Sequence, residues 1–287
     1  MIPPLVADTW LADRLAAAGS PGGRPVVLAD VRWYLDGRSG LEAYRNGHLP
    51  GAVWIDLDRW LAAHLSPTDG RHPLPDPAVF AEGMSRNGIG PDTVVVAYDD
   101  QGGLVAGRLV WMLRRLGHDA ALLDGGLGAW TGPVEQGDGP VPAATSFPIR
   151  PWPSEYFVTT DEVRDRPATT RLLDARAAER YRGETEPIDP QAGHIPGASS
   201  MPLTGNLGPD GRFLSVDQLV ARYAPVLAPA ADGTPVEEVV VYCGSGVSAC
   251  HDLLALEATG HVGRLYTGSW YAWSSTPGLP VATGDQP

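Results

Sequence analysis

The stretch Val239-Val240-Val241-Tyr242-Cys243-Gly244-Ser245-Gly246-Val247-Ser248-Ala249-Cys250 decides how this chain is read. Its β-branched run predicts a buried strand. The strand stops at Cys243, the chain crosses a tight loop holding two glycines, and the apolar segment Ala249 to Leu256 predicts a helix. A thiol so placed faces a helix mouth. Backbone N–H groups of Gly244 to Ser248 can turn inward there, and with the positive end of the helix dipole they favour an anion at the sulfur. A nucleophilic or sulfur-carrying Cys243 is expected, against the plainer reading of a buried cysteine that ends a strand.

Outward from this stretch, the same order of signals occurs twice. Val26 to Leu28 reads as a strand ending in Asp30-Val31-Arg32, and Leu172-Leu173-Asp174-Ala175-Arg176 repeats it. Gly47-His48-Leu49-Pro50-Gly51-Ala52 is matched by Gly193-His194-Ile195-Pro196-Gly197-Ala198. The run Val94 to Tyr98 matches Val239 to Tyr242, and Asp124 to Trp130 matches Tyr266 to Trp273. A repeat of this length is a whole domain, because solenoid units span only about 20–50 residues. Short β-branched runs alternate with helix-like segments in each copy, which predicts an α/β fold, two tandem domains each with a parallel sheet flanked by helices. The boundaries read as 1–135, a Pro-, Gly- and Ala-rich linker over 136–156, and 157–287.

Composition limits the partners. The 287 residues carry a net charge of -13, which speaks against nucleic acid or an anionic membrane as partner, and no apolar run reaches the ~20 residues of a membrane span. Met1-Ile2-Pro3-Pro4 has neither the basic nor the apolar region of a secretory signal, so a cytoplasmic protein is expected. Two cysteines, Cys243 and Cys250, make no disulfide framework and no zinc-binding pattern. Cys250 reads as core, with a redox disulfide as the alternative.

Cys243-Gly244-Ser245-Gly246-Val247-Ser248-Ala249 resembles the active-site loop of the rhodanese-like sulfurtransferases. Its Gly-Ser-Gly-Val core is most similar to the 3-mercaptopyruvate branch, since the thiosulfate branch usually has Arg-Lys where Gly244 and Ser245 stand. The resemblance runs along nearly the whole chain as a tandem pair. The first copy has Asp99-Asp100-Gln101-Gly102-Gly103 after its strand and no cysteine, so it corresponds to the inactive domain, which forms one wall of the cleft in that family.

The resemblance implies transfer of a sulfane sulfur from a small anionic donor through a Cys243 persulfide to a thiophilic acceptor such as cyanide, a thiol or thioredoxin. The donor would be 3-mercaptopyruvate before thiosulfate. It implies no metal and no organic cofactor, and a monomer is expected. Gly244, Gly246, Val247 and Ser248 would line the persulfide. Ser245 would join His72 and Asp58 in a relay, with Asp56 and His64 as rivals. Asp58 reads equally well as a helix cap, and Arg108 as the partner of a carboxylate. Arg180 matches the anion-binding arginine, with Arg182 in reserve. The loop Glu184 to Pro190 lacks the second arginine often found there. Two other readings remain open: a non-catalytic persulfide relay or interaction module, and a phosphatase, which would want an arginine where Ala249 stands. His48, His194, Asp30, Asp174, Trp130 and Trp273 occur in both copies and are assigned to the fold.

Overall fold

The computed structural model describes residues 1–18, 22–143 and 145–287; residues 19–21, and Ala144 within the expected linker, lie outside the described residues. The chain divides into two compact units, one made of 1–63, 74–152 and 209–213, the other of 64–73, 153–208 and 214–287.

The first unit contains β1 (Leu5–Val6), α1 (Asp8–Ala18), β2 (Val26–Asp30), α2 (Gly40–Asn46), β3 (Val53–Trp54), α3 (Pro77–Arg86), β4 (Val94–Tyr98), α4 (Ala106–Arg115), β5 (Ala120–Leu123) and α5 (Gly126–Ala129). The second repeats the order with β6 (Phe157–Val158), α6 (Thr160–Arg164), β7 (Thr170–Asp174), α7 (Ala178–Tyr181), β8 (Ala198–Ser200), α8 (Val216–Leu227), β9 (Glu238–Tyr242), α9 (Ala249–Ala258), β10 (Arg264–Tyr266) and α10 (Ser269–Ser275). Each sheet has five parallel strands in the same spatial order, β1-β5-β4-β2-β3 and β6-β10-β9-β7-β8. The duplication in the sequence is a duplication of topology, and the α/β reading holds.

The central strands β4 and β9 are almost wholly buried, as unbroken valine runs covered on both faces require. The helices that follow them are buried too, through Arg114 in α4 and through Leu256 in α9. Polar side chains are buried along with the apolar ones, Arg108 in α4 and His251 and Asp252 in α9, and the burial of each helix fixes the loop at its N-terminus to the middle of the sheet.

The residues shared by both copies form one structural device, built twice. Arg32 forks onto Asp30 (2.6 Å at the closest pair) and donates to the Gly47 carbonyl; Arg176 forks onto Asp174 (2.6 Å) and donates to the Gly193 carbonyl. His48 Nδ1 lies 2.9 Å from the Tyr44 carbonyl and its ring stacks on Tyr44; His194 stands in the same way to Tyr181 at 2.8 Å. Tyr98 Oη accepts from the Leu49 amide and Tyr242 Oη from the Ile195 amide. These bonds pair the carbonyls of Gly47, Gly193, Tyr44 and Tyr181 and the amides of Leu49 and Ile195 around the turn that leads into β3 and β8.

The proline-rich stretch after Trp130 is ordered against the first unit. Glu135 exchanges main-chain hydrogen bonds with His48, Arg45 Nε donates to Asp138 (2.7 Å), the Phe147 amide donates to Ser85 Oγ (2.8 Å), and Trp152 Nε1 donates to the Pro75 carbonyl (2.8 Å).

Candidate active site

The register of the two sheets aligns the two loops. Tyr98 lies opposite Asp30 and Tyr242 opposite Asp174, so Asp99 and Cys243 occupy the same place, one residue beyond the strand. In the first copy that place holds a carboxylate. Asp99 is fully buried and accepts four main-chain hydrogen bonds, from Gln101 (2.8 Å), Gly103 (2.8 Å), Val105 (2.8 Å) and Ala106 (2.9 Å). The strand-to-helix loop of this fold is therefore a built anion seat.

In the second copy the seat holds sulfur. The Gly246 amide donates to Cys243 Sγ at 3.1 Å. Gly246 has φ +79°, and a β-carbon there would lie 2.7 Å from the Thr267 carbonyl oxygen, so the turn that aims this amide needs glycine. Gly246→Ala should cost about 1–3 kcal/mol in backbone strain and, by moving the amide off the sulfur, should slow persulfide formation by at least roughly tenfold. Thermal melts together with single-turnover rates check both parts; wild-type rates in a folded variant would contradict the role given to this amide.

The loop is fastened from behind by α10. The Cys243 amide donates to Ser269 Oγ (3.2 Å), and the carbonyls of Cys243 and Gly244 accept from the amides of Trp270 (2.9 Å) and Tyr271 (3.0 Å). Ser269 has φ +53°, while the corresponding position of the first copy is Gly126 at φ +54°. The cysteine-bearing copy thus tolerates a strained serine where the other has glycine, and the hydroxyl it gains holds the Cys243 amide.

Charge gathers beside Gly244. A β-carbon on Gly244 would lie 2.6 Å from Arg71 Nη2, 3.4 Å from Asp189 Oδ2 and 3.6 Å from Arg180 Nη2. Arg180 donates through Nε and Nη2 to Glu186 (3.1 and 2.7 Å) and through Nη2 to Asp189 (2.8 Å). Arg71 Nε faces the other oxygen of Asp189 at 3.5 Å, and its guanidinium lies over the Tyr271 ring. Arg176 closes the array on Glu186 at 3.2 Å. Burial pushes the Asp189 carboxyl up, against the pull of Arg71 and Arg180, with Glu186 adding to the push. Burial also raises Glu186, but hydrogen bonds from Arg180 and from the amides of Asp189 and Ile188 win and hold it below the usual carboxylate range.

The segment carrying Arg71 is set by a short closed loop. Ser66 and Gly70 exchange main-chain hydrogen bonds at 2.9 Å, and a β-carbon on Gly70 would sit 3.0 Å from the Gly268 carbonyl oxygen. Neither Arg71 nor Asp189 stood among the residues expected from the sequence. Arg71 adjoins His72, and the loop after Arg180 has no arginine of its own, which was the available signal.

The other expected residues fall as follows. Cys243 is 1% exposed and Ser245 8% exposed, so the way to the thiol is narrow. Val247 is buried, and Ser248 precedes α9 without a side-chain capping bond. His72 is half-buried and belongs to the second unit, as do Cys243 and Ser245; Asp58 belongs to the first, where it accepts from Trp33 Nε1 at 2.9 Å. The capping role considered for Asp58 is Asp56's, whose carboxylate accepts from the Asp58 and Arg59 amides at the start of the wide turn Leu57–Leu61. His64 is exposed. Arg108 is fully buried in α4 and donates through Nε to the Leu61 carbonyl. Arg182 turns to Glu184, donating through Nε (2.8 Å) and Nη2 (2.9 Å). Cys250 is fully buried, its Sγ 3.6 Å from the Gly246 carbonyl oxygen, and both cysteines are free thiols.

Comparison with known proteins agrees with this geometry. The model of the rhodanese-like domain matches residues 9–133 and again 159–276. The chain is 44% identical to a protein of Pseudomonas aeruginosa named a probable 3-mercaptopyruvate sulfurtransferase, over 97% of this chain and 99% of that one. It is 39% identical to SseB of Mycobacterium tuberculosis, provisionally named a thiosulfate sulfurtransferase, over 91% and 92% of the two chains. Among solved structures it is similar to SseA of Escherichia coli, described as a 3-mercaptopyruvate sulfotransferase, with a TM-score of 0.77 at 30% identity, covering 94% of this chain and 99% of that one. Two matched domains, one anion seat filled by aspartate and the other by cysteine, and relatives similar along their full length agree: the chain belongs to the rhodanese-like family, as a two-domain sulfurtransferase.

Proposed function

We propose that this enzyme takes sulfur from 3-mercaptopyruvate, with thiosulfate as the lesser donor, and carries it as a Cys243 persulfide. The observation that carries the reading is the paired seat: four amides hold a carboxylate in the first copy, and the same loop holds the Cys243 sulfur in the second. Such a seat stabilises a thiolate before attack and a persulfide anion after it.

In the first half-reaction Cys243 Sγ attacks the donor sulfur. An S–S bond forms, the C–S bond breaks, and its electron pair leaves on carbon as the enolate of pyruvate, which takes up the proton the donor thiol gives away. Donor sulfur is oxidised to the sulfane level and the carbon is reduced. Ser245 is proposed to deliver that proton, with His72 as its base and Asp58 as the third member implied by the resemblance. In the second half-reaction a thiolate or cyanide attacks the outer sulfur and frees Cys243. A small thiol or a reduced thioredoxin is the proposed acceptor, and the enzyme is proposed to act as a monomer in the cytoplasm. Free Cys243 and Cys250 thiols suit a reducing compartment.

The test compares kcat/KM for 3-mercaptopyruvate and thiosulfate on one preparation, then repeats it with Ser245→Ala. The proposal expects 3-mercaptopyruvate to be preferred. It expects Ser245→Ala to lower kcat for that donor by about 10²-fold or more and to leave thiosulfate little changed, because sulfite departs without a proton. A preference for thiosulfate that ignores Ser245 would overturn the choice of donor.

A further inference from the structure

From the hydrogen-bond capacity beside Gly244 we infer that Arg71 supplies the second cation that grips the anionic end of the donor, beside Arg180, whose Nε and Nη2 also hold Glu186 and Asp189 in place. The inference rests on the proposed function, since it names the group that recognises the donor at that same site.

A guanidinium has five N–H donors. Arg180 commits its Nε and Nη2 atoms to Glu186 and Asp189, so its charge is met by two carboxylates. Arg71 is placed otherwise. Its Nε has no hydrogen-bond partner, its nearest carboxylate oxygen is Asp189 Oδ1 at 3.5 Å, and that oxygen is itself buried without a hydrogen bond. The side chain is 14% exposed, and its Nη2 is the nearer of the two guanidinium atoms beside Gly244, immediately after Cys243. A carboxylate or sulfonate end arriving there meets one cation with only Nη1 uncommitted and one whose Nε is unpaired. Bidentate binding on Arg71 suits a planar carboxylate, and Asp189 keeps the empty fork aimed at the loop. The ring of Tyr271, whose amide is tied to the Gly244 carbonyl, supports the guanidinium from below.

The experiment uses the full chain with Arg71→Ala, Arg71→Lys and the exposed control Arg164→Ala, each checked for folding by circular dichroism. Steady-state kinetics with 3-mercaptopyruvate and with thiosulfate should show KM raised about 10- to 100-fold in Arg71→Ala, with kcat within roughly threefold of wild type and Arg71→Lys intermediate. Carboxymethylation mapped to Cys243 gives a second readout, independent of sulfur transfer. The rate with iodoacetate divided by the rate with iodoacetamide should fall about tenfold or more in Arg71→Ala and stay at the wild-type value in Arg164→Ala. Unchanged KM and an unchanged alkylation ratio in a folded Arg71→Ala would overturn the inference. If wild type makes no persulfide from either donor, the proposed function falls, while the alkylation ratio still decides whether Arg71 contacts the anion.

Discussion

Cys243→Ser is expected to lose sulfur transfer from both donors, with kcat/KM down by more than about 10³-fold, while the fold and the melting temperature stay close to wild type. The loss should be that large because the other groups of the site hold the sulfur and have none of their own to offer. An oxygen of similar size fits the seat and can still accept from the Gly246 amide, but serine is a poor nucleophile without a strong base and forms no persulfide. The protein contains its own control for this substitution. The first copy has the strand, the loop and the buried helix, with Asp99 in place of cysteine, and so has the seat without the chemistry. Activity assays alongside melts check the expectation. Residual turnover above a few percent in Cys243→Ser would point to Cys250, which is fully buried, or to a route that uses no thiol.

The second large effect concerns stability. Arg176→Ala should destabilise the protein by about 3–5 kcal/mol, and lower the midpoint of the second unit by roughly 10 °C or more. Asp174 is fully buried and spends both oxygens on Arg176, at 3.0 Å to Nε and 2.6 Å to Nη2. Without the guanidinium that carboxylate stays in the interior uncompensated, and the Gly193 carbonyl loses its donor. Glu186 loses one of its two arginines as well, so the charge array beside Gly244 loosens in the same variant. Arg32→Ala should do to the first unit what Arg176→Ala does to the second, because Asp30 is equally buried and equally paired. Arg164→Ala, with exposed partners in Asp161 and Asp165, should leave the midpoint where it was. Calorimetry of the three variants checks the set; a loss below about 1 kcal/mol in Arg176→Ala would contradict the structural role given to this pair.

Much of the fold was legible because the chain states it twice. Asp30 with Asp174, His48 with His194 and Trp130 with Trp273 come at matching places in two runs of short strands, and a residue kept in a copy without the cysteine serves the turn it sits in. The strands that could be read were those with enough β-branched residues to show, such as Val94 to Tyr98. The edge strands β1, β3, β6 and β8 have two or three residues each, too few for any period to appear. The proline-rich stretch after Trp130 was legible as non-helical, but its docking depends on single contacts, such as Phe147 on Ser85 and Trp152 on Pro75, that no pattern announces.

The same division runs through the site. The Cys243 loop was legible because its chemistry is local, a strand end, two glycines and a helix start within a dozen residues. The array of Arg71, Asp189, Arg180 and Glu186 was legible only at Arg180, since Arg71 comes from a segment more than a hundred residues away in sequence that only the folded second unit brings against Asp189. Ser269 was hidden for another reason. Its position is marked by a backbone angle, and only the glycine of the first copy hints that the angle is positive.

All of this turns on sulfur residing on one residue. Purified protein is incubated with 3-mercaptopyruvate without an acceptor, and the intact mass and the Cys243 peptide are then measured. One added sulfur atom is predicted, mapped to Cys243, lost on treatment with cyanide and absent from Cys243→Ser. No added sulfur in wild type, or an undiminished adduct in Cys243→Ser, would contradict the account.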